Sequence, residues 1–362
     1  MNQDINKRVP YGPVVLLLAA MLLILAVGRR ETAPAPPVLP TPPAPPAPRR
    51  FQVSAWVPYW DRARVRASFA AHVADLDEVN FFWYEVQPDG ALSAFPGAED
   101  AALLARARAH DLRVLPTIMN DFDGPRVAAL LADEKTLATH VQAIVTLVEE
   151  MDYDGVDVDY EALPAGSRDD FTAFVEALAV ALDERDKLLS LAIHPKIDDR
   201  GTWDGPRAQD WPRLGAAADA FKVMIYDNHW GSSVPGAVAP LAWIDDVLAY
   251  AEQTVPSEKI WMGLPFYGYD WVEQKGKGLF WDAAGELIQQ YEPVTRRDAS
   301  SGELYFSYTA GDVEHTVYIP DAQAIALKVR LARARHPDIA GVAIWRLGGG
   351  SPEYWTAILQ ER

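Results

Sequence analysis

The sequence predicts an α/β fold, a (β/α)8 TIM barrel with a small α+β insertion between strands seven and eight. Three observations predict it. Eight apolar runs recur between residues 53 and 345, and helical patterns fit between most of them. No glycine-rich phosphate turn follows the first run, which counts against the alternative of a doubly wound open sheet. One run, Asp154-Gly155-Val156-Asp157-Val158-Asp159-Tyr160-Glu161, alternates strictly between acidic and apolar residues and stops just before a helix start. Acids at the end of a strand that feeds a helix mark the active-site face of such a barrel.

The elements follow in order. Candidate strands run over 53–59, 78–84, 112–119, 155–161, 188–193, 221–226, 260–266 and 340–345. Helical spacing covers 127–150, 240–253 and 322–335, and Phe171, Phe174, Val175, Leu178 and Leu182 repeat at the same period. Ser167 with Asp170 three residues later resembles a capping box. Between strands seven and eight, 304–309 and 315–319 read as a hairpin joined through Ala310-Gly311-Asp312.

Residues 1–50 stand apart from this pattern. Lys7 and Arg8 precede an uncharged run from Gly12 to Gly28, and Arg29-Arg30 follow. Residues 1–30 are expected to be a signal anchor or a cleaved signal peptide, the anchor being favoured by the length of the run and its flanking arginines. Residues 31–50 are rich in Pro and Ala, an extended linker. Residues 51–362 then form the barrel, expected outside the cytoplasmic membrane, either anchored or secreted.

Composition narrows the function. The 362 residues carry 51 acids against 33 bases, a net charge of −18, which argues against a nucleic-acid partner. With no Cys, no disulfide and no thiolate metal site is possible. No His cluster with metal-ligand spacing appears, so no metal or cofactor is expected. There are 12 Trp and 14 Tyr, a supply suited to stacking on sugar rings as well as to the core.

The acidic row carries the chemistry. On a strand, residues two apart share a face, so Asp157, Asp159 and Glu161 line up roughly 6–7 Å apart. Three carboxyls that close do not all ionise freely. At least one pKa should rise, with a proton shared along the row. An acid still protonated near neutral pH is what glycosidic bond cleavage needs. The bland alternative is a solvated face of an amphipathic strand.

The whole 154–161 run resembles the signature of glycoside hydrolase family 18, the chitinase-like enzymes. Met224-Ile225-Tyr226-Asp227, Gly263-Leu264-Pro265-Phe266-Tyr267-Gly268 and Gly341-Val342-Ala343-Ile344-Trp345-Arg346-Leu347-Gly348 resemble its sixth, seventh and eighth strand motifs. The last two are similar to the branch found in spore-cortex and cell-envelope hydrolases. The resemblance implies a substrate glycan with 2-acetamido sugars, whose own acetamido oxygen is the nucleophile. It implies Glu161 as acid and base, Asp159 as the partner of the acetamido N–H, and Asp157 as the residue that shares a proton with Asp159. It implies Tyr226 on the acetamido oxygen, Asp227 on sugar hydroxyls and Trp345 beneath the reacting sugar. Tyr59, Trp60, Asn120, Tyr267 and Trp271, at or beyond strand ends, are candidate groove residues. His194 is expected to line the groove or to be structural, and Asp154 to shape the start of its strand. A chitinase-like lectin that binds such sugars without cutting them is the alternative, which the presence of Glu161 disfavours. A structural envelope protein built on an inert barrel is a third.

Overall fold

The computed structural model describes residues 50–362. The expected anchor or signal peptide, and the linker up to residue 49, lie outside the described residues. Among the described residues, no helix is long and apolar enough to cross a membrane.

Eight parallel strands close into a barrel. They are β1 (Gln52–Pro58), β2 (Glu78–Val86), β3 (Arg113–Val114 continued as Thr117–Met119), β4 (Gly155–Asp159), β5 (Leu188–Ile193), β6 (Ala220–Val223), β7 (Ile260–Pro265) and β8 (Gly341–Trp345). Each pairs with the next, and β1 pairs with both β2 and β8, so no edge is left in the ring. Helices follow the strands, among them Arg168–Asp183 after β4 and Leu241–Thr254 after β6.

The period-two pattern sorts the strand residues into two layers. Val53, Ala55 and Val57 of β1, Val156 and Val158 of β4, and Leu189, Leu191 and Ile193 of β5 join the large cluster that also holds the helix residues Phe171, Phe174 and Leu178. The alternate positions face inward, and many of them are polar. Ser54, Glu78, Asn80, Thr117, Asp157, Ser190 and Lys222 are all buried there. Burying so many polar groups is costly unless each finds a partner. Lys222 Nζ donates to Glu78 and, at 2.6 Å, to Asn80, and it stands 3.8 Å from Asp157. Ser54 Oγ donates to Asn80 Oδ1 at 2.8 Å. Arg113 reaches Glu78 from the lower rim at 3.2 Å. Burial pushes the Glu78 carboxyl up, but Lys222 and Arg113 outweigh it and hold the pKa below the usual carboxylate range. The chain of charges alternates in sign: Arg113, Glu78, Lys222, Asp157.

Three expectations are corrected by local chemistry. The 127–150 pattern is two helices, Gly124–Leu131 and Glu134–Glu150, because Asp133 accepts from Thr136 N at 2.9 Å and caps a new start. Strand six ends at Val223 rather than at 226. Beyond it, Ile225 N and Tyr226 N bond back to Val223 O and Met224 O, which bends the chain. Ser167 forms no capping box, since its hydroxyl donates to Pro164 O at 2.7 Å instead of accepting from the helix. Asp154 does serve the start of its strand: its Oδ2 accepts from Val114 N at 2.8 Å and ties β4 to β3. Next to it, Gly155 is required, because a Cβ there would lie 2.0 Å from Leu188 O.

Between β7 and β8 the chain builds a second sheet of five strands, Gly268–Val272, Lys275–Leu279, Arg296–Arg297, Leu304–Ala310 and Val313–Ile319, with the helix Trp281–Tyr291. Leu304–Ala310 and Val313–Ile319 are antiparallel neighbours, and Phe306, Val317 and Ile319 cluster with Ala284 of that helix.

The buried lysine gives a test. Lys222→Met removes the only cation within 4 Å of Asp157 among the described residues and leaves Glu78 with Arg113 alone. Breaking a buried pair from one side costs roughly 3–5 kcal/mol. Urea unfolding is expected to show a loss of that size, with part of it recovered when Glu78→Leu is added.

Candidate active site

β4 delivers the acids in order of depth. Asp157 lies deepest and is fully buried. Its Oδ2 accepts from Trp56 Nε1 and Thr117 Oγ1, each at 2.9 Å, and its Oδ1 from Ser190 Oγ at 2.5 Å. Donors from three other strands thus occupy both oxygens. No hydrogen bond joins Asp157 to Asp159 in this conformation.

Asp159, two residues further up, has the opposite environment. Its Oδ1 is buried and has no hydrogen-bond partner. Burial first, and then the charges of Glu161 and Asp157, hold its pKa well above the usual carboxylate range. Glu161 ends the row just past β4, with about a quarter of its side chain exposed (23%). Burial and the nearby charge of Asp227 push its carboxyl up to about 7. Two of the three carboxyls are therefore displaced toward the protonated form, burial being the largest cause for both; the row adds to the shift of Asp159, while Asp227 from beyond β6 adds to that of Glu161. Tyr160, between them, points the other way and hydrogen-bonds His140 in the layer under the helices.

Asn120 fixes Glu161. Its Oδ1 accepts from Glu161 N at 2.9 Å and its Nδ2 donates to Glu161 O at 2.8 Å. It was expected to line the groove, but its side chain is buried and spent on this backbone clamp.

The bend after β6 brings Tyr226 and Asp227 to the same mouth. Tyr226 is nearly buried, and burial followed by the charges of Asp159, Glu161, Asp227 and Asp157 keeps its phenol protonated. Asp227 takes a left-handed backbone (φ 62°), and its Oδ1 accepts from Tyr267 Oη at 2.6 Å and Tyr269 Oη at 3.0 Å. Burial raises its pKa against those two hydrogen bonds. Tyr267 is thus committed to holding Asp227.

The remaining expected residues divide. Trp345, at the end of β8, packs edge-on against Trp56 and Phe82, with ring centroids 6.1 and 5.1 Å away, and stays partly open. Trp60 stands half exposed beside it, 6.3 Å between centroids. Tyr59 lies flat on Phe95 at 4.0 Å and is half-buried. Trp271 is not a groove residue. It is fully buried in the second sheet, and its Nε1 donates to Trp230 O at 3.1 Å, which supports the loop that carries Trp230.

A cleft of about 540 Å³ opens beside Glu161, bounded by His194, Tyr226, Asp227 and the aromatic rings of Phe122, Trp203 and Trp230. Phe122 (64%), Trp230 (53%) and Trp203 (45%) are largely exposed. Sequence reasoning missed these three. The signal was available: each is a large aromatic within a polar stretch between a strand and the helix that follows it. Among the described residues, no group of three or more His, Asp or Glu is arranged to hold a metal ion.

Comparison with known proteins agrees with this geometry. The model for "Glycosyl hydrolases family 18" matches residues 55–350. A curated relative, the uncharacterized glycosylase YvbX of Bacillus subtilis, is 28% identical over 244 residues, 66% of this chain and 70% of the relative. The chitinase of Chromobacterium violaceum superposes with a TM-score of 0.81 at 27% identity, over 86% of this chain and 99% of the other. The spore cortex-lytic enzyme SleL of Bacillus megaterium superposes with a TM-score of 0.79 at 25% identity, over 99% of this chain and 87% of the other. With the closed barrel and the acid row at the end of its fourth strand, the match over most of the folded chain means that this protein belongs to glycosyl hydrolase family 18 and is a glycosidase.

Proposed function

We propose that the chain is a retaining hydrolase of β-1,4-linked N-acetylglucosamine-containing glycans, either chitin-type or peptidoglycan-type. The observation that carries this reading is Glu161, a carboxyl with a pKa of about 7 at the edge of an aromatic-lined cleft. An acid of that pKa is protonated often enough at neutral pH to give its proton, and basic enough afterwards to take one back.

The steps follow from the neighbours. Glu161 protonates the leaving oxygen. The carbonyl oxygen of the substrate's 2-acetamido group attacks the anomeric carbon, so no second protein carboxyl acts as nucleophile. Asp159, with an unpartnered Oδ1, accepts from the acetamido N–H, and the positive charge that develops on the oxazolinium beside it favours its ionised form, which then offsets that charge. Tyr226 donates to the acetamido oxygen and aims it. Water then gives a proton to Glu161 carboxylate and opens the intermediate with retention. Trp345 supports the reacting sugar from below, and Asp227 offers Oδ2 to a hydroxyl. Trp203, Trp230 and Phe122 stack on sugars further along the cleft.

Chitin and peptidoglycan both carry the 2-acetamido group this route requires, and solved structures of both a chitinase and a spore cortex-lytic enzyme resemble this chain. Such polymers lie outside the cytoplasmic membrane. With the apolar run from Gly12 to Gly28, that favours an extracytoplasmic enzyme, anchored or secreted.

Release of reporter from a fluorogenic N,N′-diacetylchitobioside tests the reading. Glu161→Gln is expected to lower kcat by roughly 10²–10⁴-fold without unfolding the protein. Full activity in that variant would refute the role. Because the acid must be protonated, kcat/KM is expected to fall as pH rises through about 7. Phe122→Ala and Trp230→Ala are expected to raise KM for chitooligosaccharides about tenfold, roughly 1.4 kcal/mol of lost binding, with kcat little changed. Digestion of purified peptidoglycan alongside chitin then identifies the preferred polymer.

A further inference from the structure

One group at the cleft has no part in the steps above. His194 follows β5 directly, and its main chain is fixed because its N–H donates to Gln209 Oε1 at 2.9 Å. Its ring meets Trp203 edge-on, with centroids 4.7 Å apart. Gly205 packs behind both rings. A Cβ on Gly205 would come within 2.4 Å of Trp203 and 2.8 Å of His194 Cδ2, so only glycine leaves room for this pair. The imidazole is 8% exposed, and its Nδ1 stands 3.9 Å from Glu161 Oε2. Its Nε2 is buried and has no hydrogen-bond partner.

The orphaned Nε2 favours one tautomer. A neutral imidazole carries one N–H and one lone pair. Burying an unpaired N–H is rarer than burying an under-used acceptor. The proton therefore belongs on Nδ1, the nitrogen that faces Glu161. We propose that His194 is a positioning residue for Glu161, its Nδ1–H aimed at the carboxylate that remains once the acid has given up its proton. No proton leaves His194 in this role. The proton travels from Glu161 to the leaving oxygen and later from water back to Glu161.

The surroundings favour such a donor. Glu161 is faced by Asp159 from its own strand, and by Tyr226 and Asp227 from beyond β6. Every charge among them is negative, so a free carboxylate at Glu161 is opposed from these sides. Lys196, two residues past His194, is spent on Asp199, Pro206 O and Gln209 O. Burial lowers the pKa of His194 to about 4, so at neutral pH it acts as a dipole and not as a cation. The gap of 3.9 Å is of the kind that tightens when the reacting state forms.

This inference rests on the reading of Glu161 as the acid, and the experiment separates the two. The pH dependence of kcat/KM on the fluorogenic chitobioside is compared for the wild type, His194→Leu, His194→Gln and Glu161→Gln. Loss of the donor raises the pKa of Glu161, so His194→Leu should move the alkaline limb up by about 0.5–1 pH unit and lower kcat several-fold at unchanged KM. His194→Gln, which restores an N–H, should bring the limb back toward the wild type. A limb that stays in place or moves down in His194→Leu overturns the proposal. Activity retained in Glu161→Gln instead sinks the parent reading. Should His194→Leu fail to fold, ¹⁵N NMR of the imidazole in the wild-type protein decides: an Nδ1–H tautomer is required, and an Nε2–H tautomer overturns it.

Discussion

The constraint on which the rest of this structure depends is the accommodation of a carboxylate at the centre of a closed barrel. Asp157 sits where water does not reach, and a buried charge without partners would cost several kcal/mol. The barrel answers with donors from its own strands: Trp56 from β1, Thr117 from β3, Ser190 from β5, and Lys222 from β6 standing nearby. Lys222 in turn needs Glu78, and Glu78 needs Arg113 at the lower rim. Ring closure makes this possible, because it brings inward-facing residues from all eight strands within reach of one another.

From that base the acids differentiate by depth and by the charges and donors each one meets. Asp157 is satisfied. Asp159 has a bare oxygen and is pushed toward the protonated form by burial and by the acids on either side. Glu161 reaches the mouth of the cleft, where burial and the charge of Asp227 push its carboxyl up to about 7. The same side-chain chemistry, repeated every second residue, thus yields three different groups. Asn120 locks the backbone of the outermost one with two hydrogen bonds.

The acid row was legible because period two is a local property. Asp157, Asp159 and Glu161 share a face in any strand, whatever that strand packs against. The motifs that close β6, β7 and β8 were legible through their resemblance to those of the family, which short runs such as Met224–Asp227 carry by themselves. What could not be read was how each side chain spends its polar atoms. Asn120 and Trp271 looked like groove residues because both lie at or beyond strand ends. Their partners, Glu161 and Trp230, are about 40 residues away in the chain, and only the fold shows that both are committed to structure. Ser167 looked like a helix cap and instead bonds Pro164 O, because two local options differ too little in energy for sequence to choose.

The sequence by itself determined the barrel, the row of acids and the end of the barrel at which they emerge. These rest on short-range periodicity and on turn and strand chemistry carried by neighbouring residues. Only the tertiary structure decided which acid keeps a proton, which aromatic rings stand open to solvent, and that His194 meets Glu161 while Lys222 lies beneath Asp157. Burial and charge at a given atom are sums over groups from many strands, and no window of the chain contains those sums.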